Sequence, residues 1–311
     1  MPEFTEFRFP SSNGQNEIFV RLCKPDGAPR AIVQIAHGVA EHSGRYLAFM
    51  EFLANHGFVA AADDHLGHGQ SAKDESELGY FAEKDGWACV VEDLHTLHEK
   101  LKADYPGIPA FLFGHSMGSF LTRTYLIRYP DDLDGAIICG TGQQAGALVA
   151  GGLAASSLVC AFRGKKCQSN FLNGLAFGSY NKEFEPKRTI CDWLSRDEAL
   201  VDAYIADPFC GFTATAGLFH DMMTGISFIS KQKNIEKMRK DLPIFFISGA
   251  KDPVGENGKG VKKAYEAFQK AGMKDVSLKL YPDCRHELLN ELNRDEVMGD
   301  VLGWLDKKMK K

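Results

Sequence analysis

Short apolar runs and longer amphipathic stretches alternate along most of this chain. Near the N-terminus, the runs Thr5–Phe9 and Glu17–Cys23 flank the turn Ser12-Asn13-Gly14 and predict a β-hairpin. Further along, apolar runs of strand length predict buried strands of the kind found in parallel sheets. These runs are Ala31–Ala36, Phe58–Ala62, Ala110–Phe113, Gly135–Cys139, Pro243–Ser248 and Val276–Tyr281.

Between these runs the apolar residues recur at helical spacing. The longest example is Trp87–Leu101, in which Val90, Leu94, Leu97 and Leu101 fall on one stripe. The same spacing predicts four more helices, at Tyr46–Asn55, Ser119–Arg128, Gly260–Ala271 and Asp295–Lys308. Strands that alternate with helices of this length predict an α/β fold with a mostly parallel central sheet flanked by helices.

The alternation stops between about Gly140 and Ser230, where the chain is rich in Gly, Ala and Phe and shows no strand pattern. We interpret this part as an inserted helical cap. The expected division is a core domain of residues 1–140 and 242–311 and a cap of residues 141–241. The apolar segment Ala145–Phe162 is at the lower length limit for a membrane span and contains mainly small residues. We therefore predict a cap helix, with transient membrane contact as an open alternative.

Composition excludes several classes of protein. The chain has 311 residues, of which 44% are hydrophobic and 25% charged, as in soluble globular proteins. The formal net charge is −5, whereas nucleic-acid binders concentrate Lys and Arg, so we expect no nucleic-acid partner. The 8 cysteines include no Cys-x-x-Cys pair, and Met1–Phe7 does not resemble a secretory signal. We expect reduced thiols and a cytoplasmic location; the sequence indicates no oligomeric state.

The main candidate for chemistry is Gly114-His115-Ser116-Met117-Gly118. A Gly-x-Ser-x-Gly match alone is weak evidence, but here an apolar strand enters the motif and a helix leaves it. This context predicts a sharp turn that holds the Ser116 hydroxyl in a strained, exposed position. Ser116 is therefore the predicted nucleophile.

A serine hydroxyl needs a base, and the base needs an orienting carboxylate. Enzymes with such a turn present these groups in the chain order serine, acid, histidine. Only His220 and His286 follow Ser116 in the chain. His286 lies just after the last strand, where sites form in open α/β sheets, and it is the predicted base. Asp252 follows the preceding strand and is the predicted acid, with Asp283 as the competing candidate.

The negative charge that develops on the substrate needs two backbone N–H donors. We expect one from Met117, which follows the nucleophile, and one from Val39, in the loop after the third strand. His65 and His68 superficially resemble metal ligands, but the glycines around them predict a structural loop instead. We expect neither a metal nor a cofactor.

Two longer motifs indicate a family. Residues 37–46, His-Gly-Val-Ala-Glu-His-Ser-Gly-Arg-Tyr, resemble the His-Gly-x-x-Glu-His-Ser-x-Arg-Tyr signature of monoacylglycerol lipases and related lysophospholipases. Residues 64–71, Asp-His-Leu-Gly-His-Gly-Gln-Ser, are similar to that family's Asp-x-x-Gly-His-Gly-x-Ser loop. The resemblance implies an α/β-hydrolase fold, hydrolysis of a monoacyl lipid ester, and Val39 and Met117 as oxyanion donors. It also implies that Glu41 and Arg45 bind substrate near the head group.

The leading hypothesis is thus a cofactor-free serine esterase whose partner is a small acyl ester, cleaved through an acyl-enzyme at Ser116. A second hypothesis keeps the same triad for an aminopeptidase, an amidase or an acyltransferase, and the core sequence does not separate these. A third is a binding protein without catalysis, which the intact serine, acid and histidine set disfavours. The apolar cap favours substrates with lipid-like acyl chains.

Overall fold

The computed structural model describes residues 1–309 and confirms the predicted α/β architecture. Eight strands form one sheet in the order β1-β2-β4-β3-β5-β6-β7-β8. β1 and β2 form the antiparallel hairpin, β2 also pairs antiparallel with β4, and the remaining pairs are parallel. The strands are β1 (Glu3–Pro10), β2 (Glu17–Lys24), β3 (Ala31–Ala36), β4 (Phe58–Asp63), β5 (Ala110–His115), β6 (Gly135–Cys139), β7 (Ile244–Gly249) and β8 (Val276–Tyr281).

Ten α-helices accompany the sheet within the described residues. Those outside the β6–β7 connection are α1 (Leu47–Asn55), α2 (Gly86–Asp104), α3 (Met117–Arg128), α9 (Lys259–Lys270) and α10 (Arg294–Lys308). Those within it are α4 (Gly146–Arg163), α5 (Asn170–Phe177), α6 (Glu198–Ala206), α7 (Ala216–Ile229) and α8 (Gln232–Ile235). α3 begins two residues earlier than its sequence pattern predicts, so that it starts directly after Ser116.

The sheet is buried on both faces, which explains why its strands are apolar without alternation. In the central strand β5, Ala110 and Leu112 pack into the core on one face, and Phe111 and Phe113 pack into the core on the other. This burial fixes the carboxyl end of β5, and therefore the turn that follows it, on a rigid support.

The connection between β6 and β7, which the sequence predicts to be a cap, contains no sheet strand in the described residues; one isolated bridge joins Gln168 to Thr215. α4 packs against α7, and α7 packs against α2 and α3 of the core. α4 is also the helix of 18 residues whose length and mean hydropathy of 1.5 would allow it to cross a membrane. Only 11% of it is buried, and Phe162 at its end is 85% exposed.

Candidate active site

Ser116 is the single residue between β5 and α3, and its backbone is strained. Its φ of 55° and ψ of −119° lie where residues other than glycine are rare. Hydrogen bonds on both sides hold it there: its N–H donates to the Cys139 carbonyl at 3.0 Å, and its carbonyl accepts from the Ser119 N–H at 2.9 Å. The sharp turn predicted from the sequence is therefore present, with the Ser116 side chain on the wall of a cavity.

Glycines on both sides of Ser116 make this turn possible. A Cβ atom on Gly114 would collide with the Thr122 hydroxyl, and one on Gly118 would collide with the Ala36 carbonyl in the neighbouring strand. The close approach of α3 to β3 therefore requires glycine at position 118. This explains physically why small residues flank the serine in the motif.

Asp252 and His286, which lie 34 positions apart in the chain, are joined directly. The Nδ1 of His286 lies 2.9 Å from Oδ1 of Asp252, and both side chains are buried. The carboxylate also accepts hydrogen bonds from the Val254 N–H at 2.9 Å and the Ser248 hydroxyl at 3.2 Å. Because an ionised carboxylate only accepts, Nδ1 carries the proton and Nε2 is left as the basic nitrogen.

Ser116 and His286 line the same cavity, and the structure gives no hydrogen bond between their side chains within residues 1–309. Gly140 lies beside both histidines of the site: a Cβ there would be 3.2 Å from Cε1 of His286 and 3.3 Å from Cδ2 of His115. In enzymes without bound substrate, the bond between nucleophile and base is often long and tightens on binding. The hydrogen bond between the Ser116 hydroxyl and His286 therefore stays a prediction.

The two candidate oxyanion donors also face this cavity. Met117 is the first residue of α3, so its N–H has no partner within the helix and lies at the positive end of the helix dipole. Val39 is in the loop after β3, where the Gly38 N–H donates to Oε1 of Glu41 at 2.5 Å and Ala40 has a φ of 54°. That hydrogen bond folds the loop back over the end of β5.

A buried group of charges, which we call the Glu41 cluster, lies beside the oxyanion loop; it comprises Glu41, Arg45, Tyr46, His115 and Glu287. The Glu41 carboxylate interacts with the Tyr46 hydroxyl at 2.9 Å, Nη1 of Arg45 at 3.0 Å and Nδ1 of His115 at 3.1 Å. Arg45 makes a two-pronged contact with Glu287 at 2.5 and 2.7 Å. Each charge in the cluster thus has a partner of opposite sign.

Contacts within the cluster shift the pKa values of Glu41 and His115. Burial alone would raise the pKa of Glu41, but His115 and Arg45 hold this pKa well below its ordinary value. Burial alone would lower the pKa of His115, but the hydrogen bond to Glu41 raises this pKa above its ordinary value. A negative carboxylate therefore stays at the base of the oxyanion loop, where it orients Gly38.

Glu41 lines the cavity, whereas Arg45 is not among the lining residues and its guanidinium packs over the Tyr204 ring, 4.8 Å from the centroid. Direct contact of these two residues with a substrate stays a prediction. Their visible role is to brace the loop of Val39. Sequence reasoning missed Glu287, which directly follows His286 and forms the two-pronged ion pair with Arg45.

Sequence reasoning also missed the contact between the cap and the loop of His286. The N–H of His286 donates to the Trp193 carbonyl at 3.4 Å, and the N–H of Glu287 donates to the Leu194 carbonyl at 2.8 Å. The Trp193 ring lies 5.1 Å from the imidazole, and Arg285 donates to the Ser195 carbonyl at 3.1 Å. No motif marks this irregular part of the cap, so the sequence gave no signal for it.

The histidines after β4 lie in a loop that is held by hydrogen bonds and ring contacts within the protein. Nδ1 of His65 lies 2.7 Å from Oδ2 of Asp63, and the backbone N–H of His65 donates to Nε2 of His37 at 3.0 Å. The rings of His65 and His37 stack with their centroids 3.9 Å apart. Burial lowers the pKa of His68 to about 3, so this side chain is neutral. These contacts pack the loop beneath the oxyanion segment.

Two groups elsewhere in the described residues bring possible metal ligands within 4.8 Å of one another: His42 with Asp207 and Cys210, and His95 with Glu99 and Asp132. In each group the histidine already interacts with the aspartate, at 2.9 and 3.0 Å. None of these six residues lines the cavity of Ser116.

The cavity over Ser116 has a volume of about 1080 Å³ and lies between the core and the cap. This volume is slightly above the range of about 300–1,000 Å³ for small-molecule sites. Its walls are mostly apolar and include residues of α3, α4, α5 and α7 together with the loops around them. The apolar lining includes Phe120, Val149, Leu172, Phe177, Phe219, Met222 and Ile226.

Comparisons with known proteins agree with this geometry. The family described as "Serine aminopeptidase, S33" matches residues 27–293. The monoacylglycerol lipase of Mycolicibacterium smegmatis is 30% identical, over 90% of this chain and 90% of that protein. The monoglyceride lipase of Homo sapiens is 28% identical, over 94% and 87% respectively. A carboxyl esterase from Bacillus coagulans, solved in complex with glycerol, superposes with a TM-score of 0.90 at 33% identity, covering 98% of this chain and 99% of that one.

The matches extend through the cap as well as the core, and they confirm the resemblance drawn from the sequence motifs and the prediction of a serine hydrolase. The sheet order, the strained serine and the aspartate–histidine pair agree with them. The chain therefore belongs to the serine hydrolases of the α/β-hydrolase family.

Proposed function

We propose that the protein hydrolyses the ester bond of monoacylglycerols, releasing a fatty acid and glycerol. The observation that carries this proposal is the opening of the Ser116 turn, beside the Asp252–His286 pair, into an apolar cavity of about 1080 Å³. Such a cavity accepts a long acyl chain by burying it from water. The names of the relatives, monoacylglycerol lipases and a carboxyl esterase, support the same substrate class.

In the proposed mechanism, the Ser116 hydroxyl oxygen attacks the ester carbonyl while Nε2 of His286 takes its proton. Asp252 holds the imidazole through Nδ1 and stabilises the imidazolium that forms. The N–H groups of Val39 and Met117 hold the negatively charged carbonyl oxygen. The carbon–oxygen bond to glycerol breaks, the imidazolium proton passes to the leaving oxygen, and an acyl-enzyme remains at Ser116. Water, activated by His286, then releases the fatty acid.

The lining of the cavity favours esters of acyl lipids over aminoacyl amides. A site for a free amine would offer an unpaired carboxylate. In this cavity, however, Glu41 and Glu287 both form ion pairs with Arg45, and Glu256 forms an ion pair with Lys263. We propose that Glu41 and Arg45 serve substrate binding by holding the oxyanion loop in place. The proposed domains are the core of residues 1–140 and 242–311 and the cap of residues 141–241.

We further propose that the cap contacts a membrane transiently to collect its substrate. α4 presents Leu148, Leu158 and Phe162 at 68%, 59% and 85% exposure, and Lys165 and Lys166 follow it. An apolar face beside cations suits the surface of an anionic bilayer. Double replacement of Leu158 and Phe162 by serine should reduce co-sedimentation with vesicles containing phosphatidylserine. Unchanged binding would refute membrane contact through α4.

A cytoplasmic location is also proposed, which the eight free cysteines support.

The central test is a comparison of wild type with Ser116→Ala. The variant should remain folded and lose activity on a monoacylglycerol by several orders of magnitude, because the nucleophile is gone. A fluorophosphonate probe should label the wild type and not the variant. Retained turnover in the variant would remove Ser116 from its role. Faster cleavage of aminoacyl amides than of any acyl ester would overturn the proposed substrate class.

A further inference from the structure

The chemistry of the proposed function fixes where the alcohol part of the substrate lies. His286 gives its proton to the leaving oxygen, so the glycerol must lie on the side of the cavity next to the imidazole. The cap contributes aromatic side chains to that side. The Trp193 ring lies 5.1 Å from the imidazole, the Tyr180 ring lies 5.0 Å from Trp193, and Phe177 lies 5.8 Å from Tyr180.

Hydrogen bonds fix the positions of Tyr180 and Trp193 relative to His286. The side chain of Asn181, next to Tyr180, accepts from the Trp193 N–H at 2.9 Å and donates to the Thr189 carbonyl at 2.8 Å. The Trp193 carbonyl in turn accepts from the N–H of His286. A short chain of hydrogen bonds thus sets the position of Tyr180 relative to the catalytic histidine.

Most polar side chains near this wall are already occupied by protein. Asn181 is used as described, Thr189 bonds to Asp192, and Glu287 is paired with Arg45. The Tyr180 hydroxyl, by contrast, has no hydrogen-bond partner within residues 1–309, although Tyr180 lines the cavity. Burial and the nearby charge of Asp252 raise the pKa of this phenol, so it keeps its proton and can donate.

We propose that Tyr180 is a specificity-determining residue that hydrogen-bonds a free hydroxyl of the glycerol leaving group. This inference rests on the proposed function. A phenol both donates and accepts, which suits an alcohol partner. The aromatic rings of Tyr180 and Trp193 cover the carbon side of the glycerol. An ester whose alcohol has no second hydroxyl, such as a methyl ester, gains nothing from this contact.

The test compares Tyr180→Phe with wild type on a monoacylglycerol and on the methyl ester of the same fatty acid. The variant keeps the ring and removes only the hydroxyl. We expect kcat/KM for the monoacylglycerol to fall about three- to tenfold, as for loss of one neutral hydrogen bond. The fall should appear mainly as a higher KM, because the contact exists before and during bond breaking. The methyl ester should be cleaved at the wild-type rate.

Tyr80→Phe is the matched control, because it also removes one phenol, bonded to Glu83, at a site that does not line the cavity. It should leave both substrates unaffected. An equal fall on both esters in Tyr180→Phe, or no fall on either, would overturn the inference while leaving the proposed function intact. A wild-type enzyme that cleaves the methyl ester but not the monoacylglycerol would contradict both. Weaker product inhibition by free glycerol in Tyr180→Phe would support the contact independently.

Discussion

Asp221 is a buried carboxyl group at the contact between the cap and the core, and its replacement should stabilise the protein at neutral and alkaline pH. It lies on α7, tightly packed against Gly86 at the start of α2, with only 9% of the residue exposed. No hydrogen bond reaches its carboxylate within residues 1–309, and the His220 ring is 3.9 Å away. Lys165 favours its charge and Asp85 opposes it.

The size of the effect follows from the pKa. Burial raises the pKa of Asp221 to about 7 in the folded protein, against about 3.9 for an unfolded aspartate. The folded state therefore binds this proton more tightly than the unfolded state. The free energy of unfolding is unaffected by the group below about pH 4 and falls as the pH rises to about 7. Above that, the charged group costs about 4 kcal/mol, from about 3 pKa units at about 1.4 kcal/mol each.

Asp221→Asn replaces the carboxyl by a neutral group of the same shape. Urea unfolding of wild type and variant should be compared at pH 5 and pH 8.5. We expect the advantage of the variant to grow between these two values by about 2–3 kcal/mol, since most of the wild-type loss occurs in that interval. Asp131→Asn, which changes an exposed carboxyl after α3, is the control and should show no such trend.

A variant that is equally or less stable than wild type at pH 8.5 would refute the reasoning. It would mean that the folded protein solvates or pairs the Asp221 carboxylate well enough to keep its pKa near that of the unfolded chain. An equal gain at both pH values would also refute it, because a packing effect carries no pH dependence. Both outcomes would point away from a charge penalty at the cap–core contact.

Two further predictions concern the catalytic machinery. Asp252→Asn should lower kcat by on the order of 10⁴-fold with little change in KM, because the amide favours the wrong tautomer of His286. Steady-state kinetics on an acyl ester would check this. A loss of kcat below tenfold would contradict it. Gly118→Ala should abolish labelling of Ser116 by a fluorophosphonate probe or prevent folding, because the added Cβ collides with the Ala36 carbonyl. A folded, fully labelled variant would contradict this, since it would show that α3 can move away from β3.

Much of the core could be predicted from the sequence because its signals are local. The strand into Ser116 and the helix after it are both short and unambiguous, and the turn between them requires glycines that are visible in the motif. Asp252 and His286, which form a hydrogen bond in the structure, were proposed from the sequence because each follows a strand at the same edge of the sheet. Position after a strand was not enough by itself, because Asp283 also follows a strand, and the choice of His286 used the chain order serine, acid, histidine.

The contributions of the cap could not be predicted in the same way. Trp193 lies in an irregular segment and Tyr180 in a single short turn, so no periodicity indicates which way either side chain faces. Their positions depend on hydrogen bonds through Asn181 and on the loop of His286, which are contacts between distant parts of the chain. Glu287 was missed for a related reason, since its partner Arg45 is 242 positions away.

The backbone bonds from Trp193 and Leu194 to the loop of His286 make this part of the cap a fixed wall. A cap that swung away as one rigid body would have to break these bonds and disturb the histidine with each substrate that entered. A movement that keeps these bonds is confined to other parts of the cap, such as α4 and α5, which precede Trp193 in the chain. A shortened enzyme from which residues 141–241 were removed would lose the support of its own base, and could not serve as a minimal catalyst.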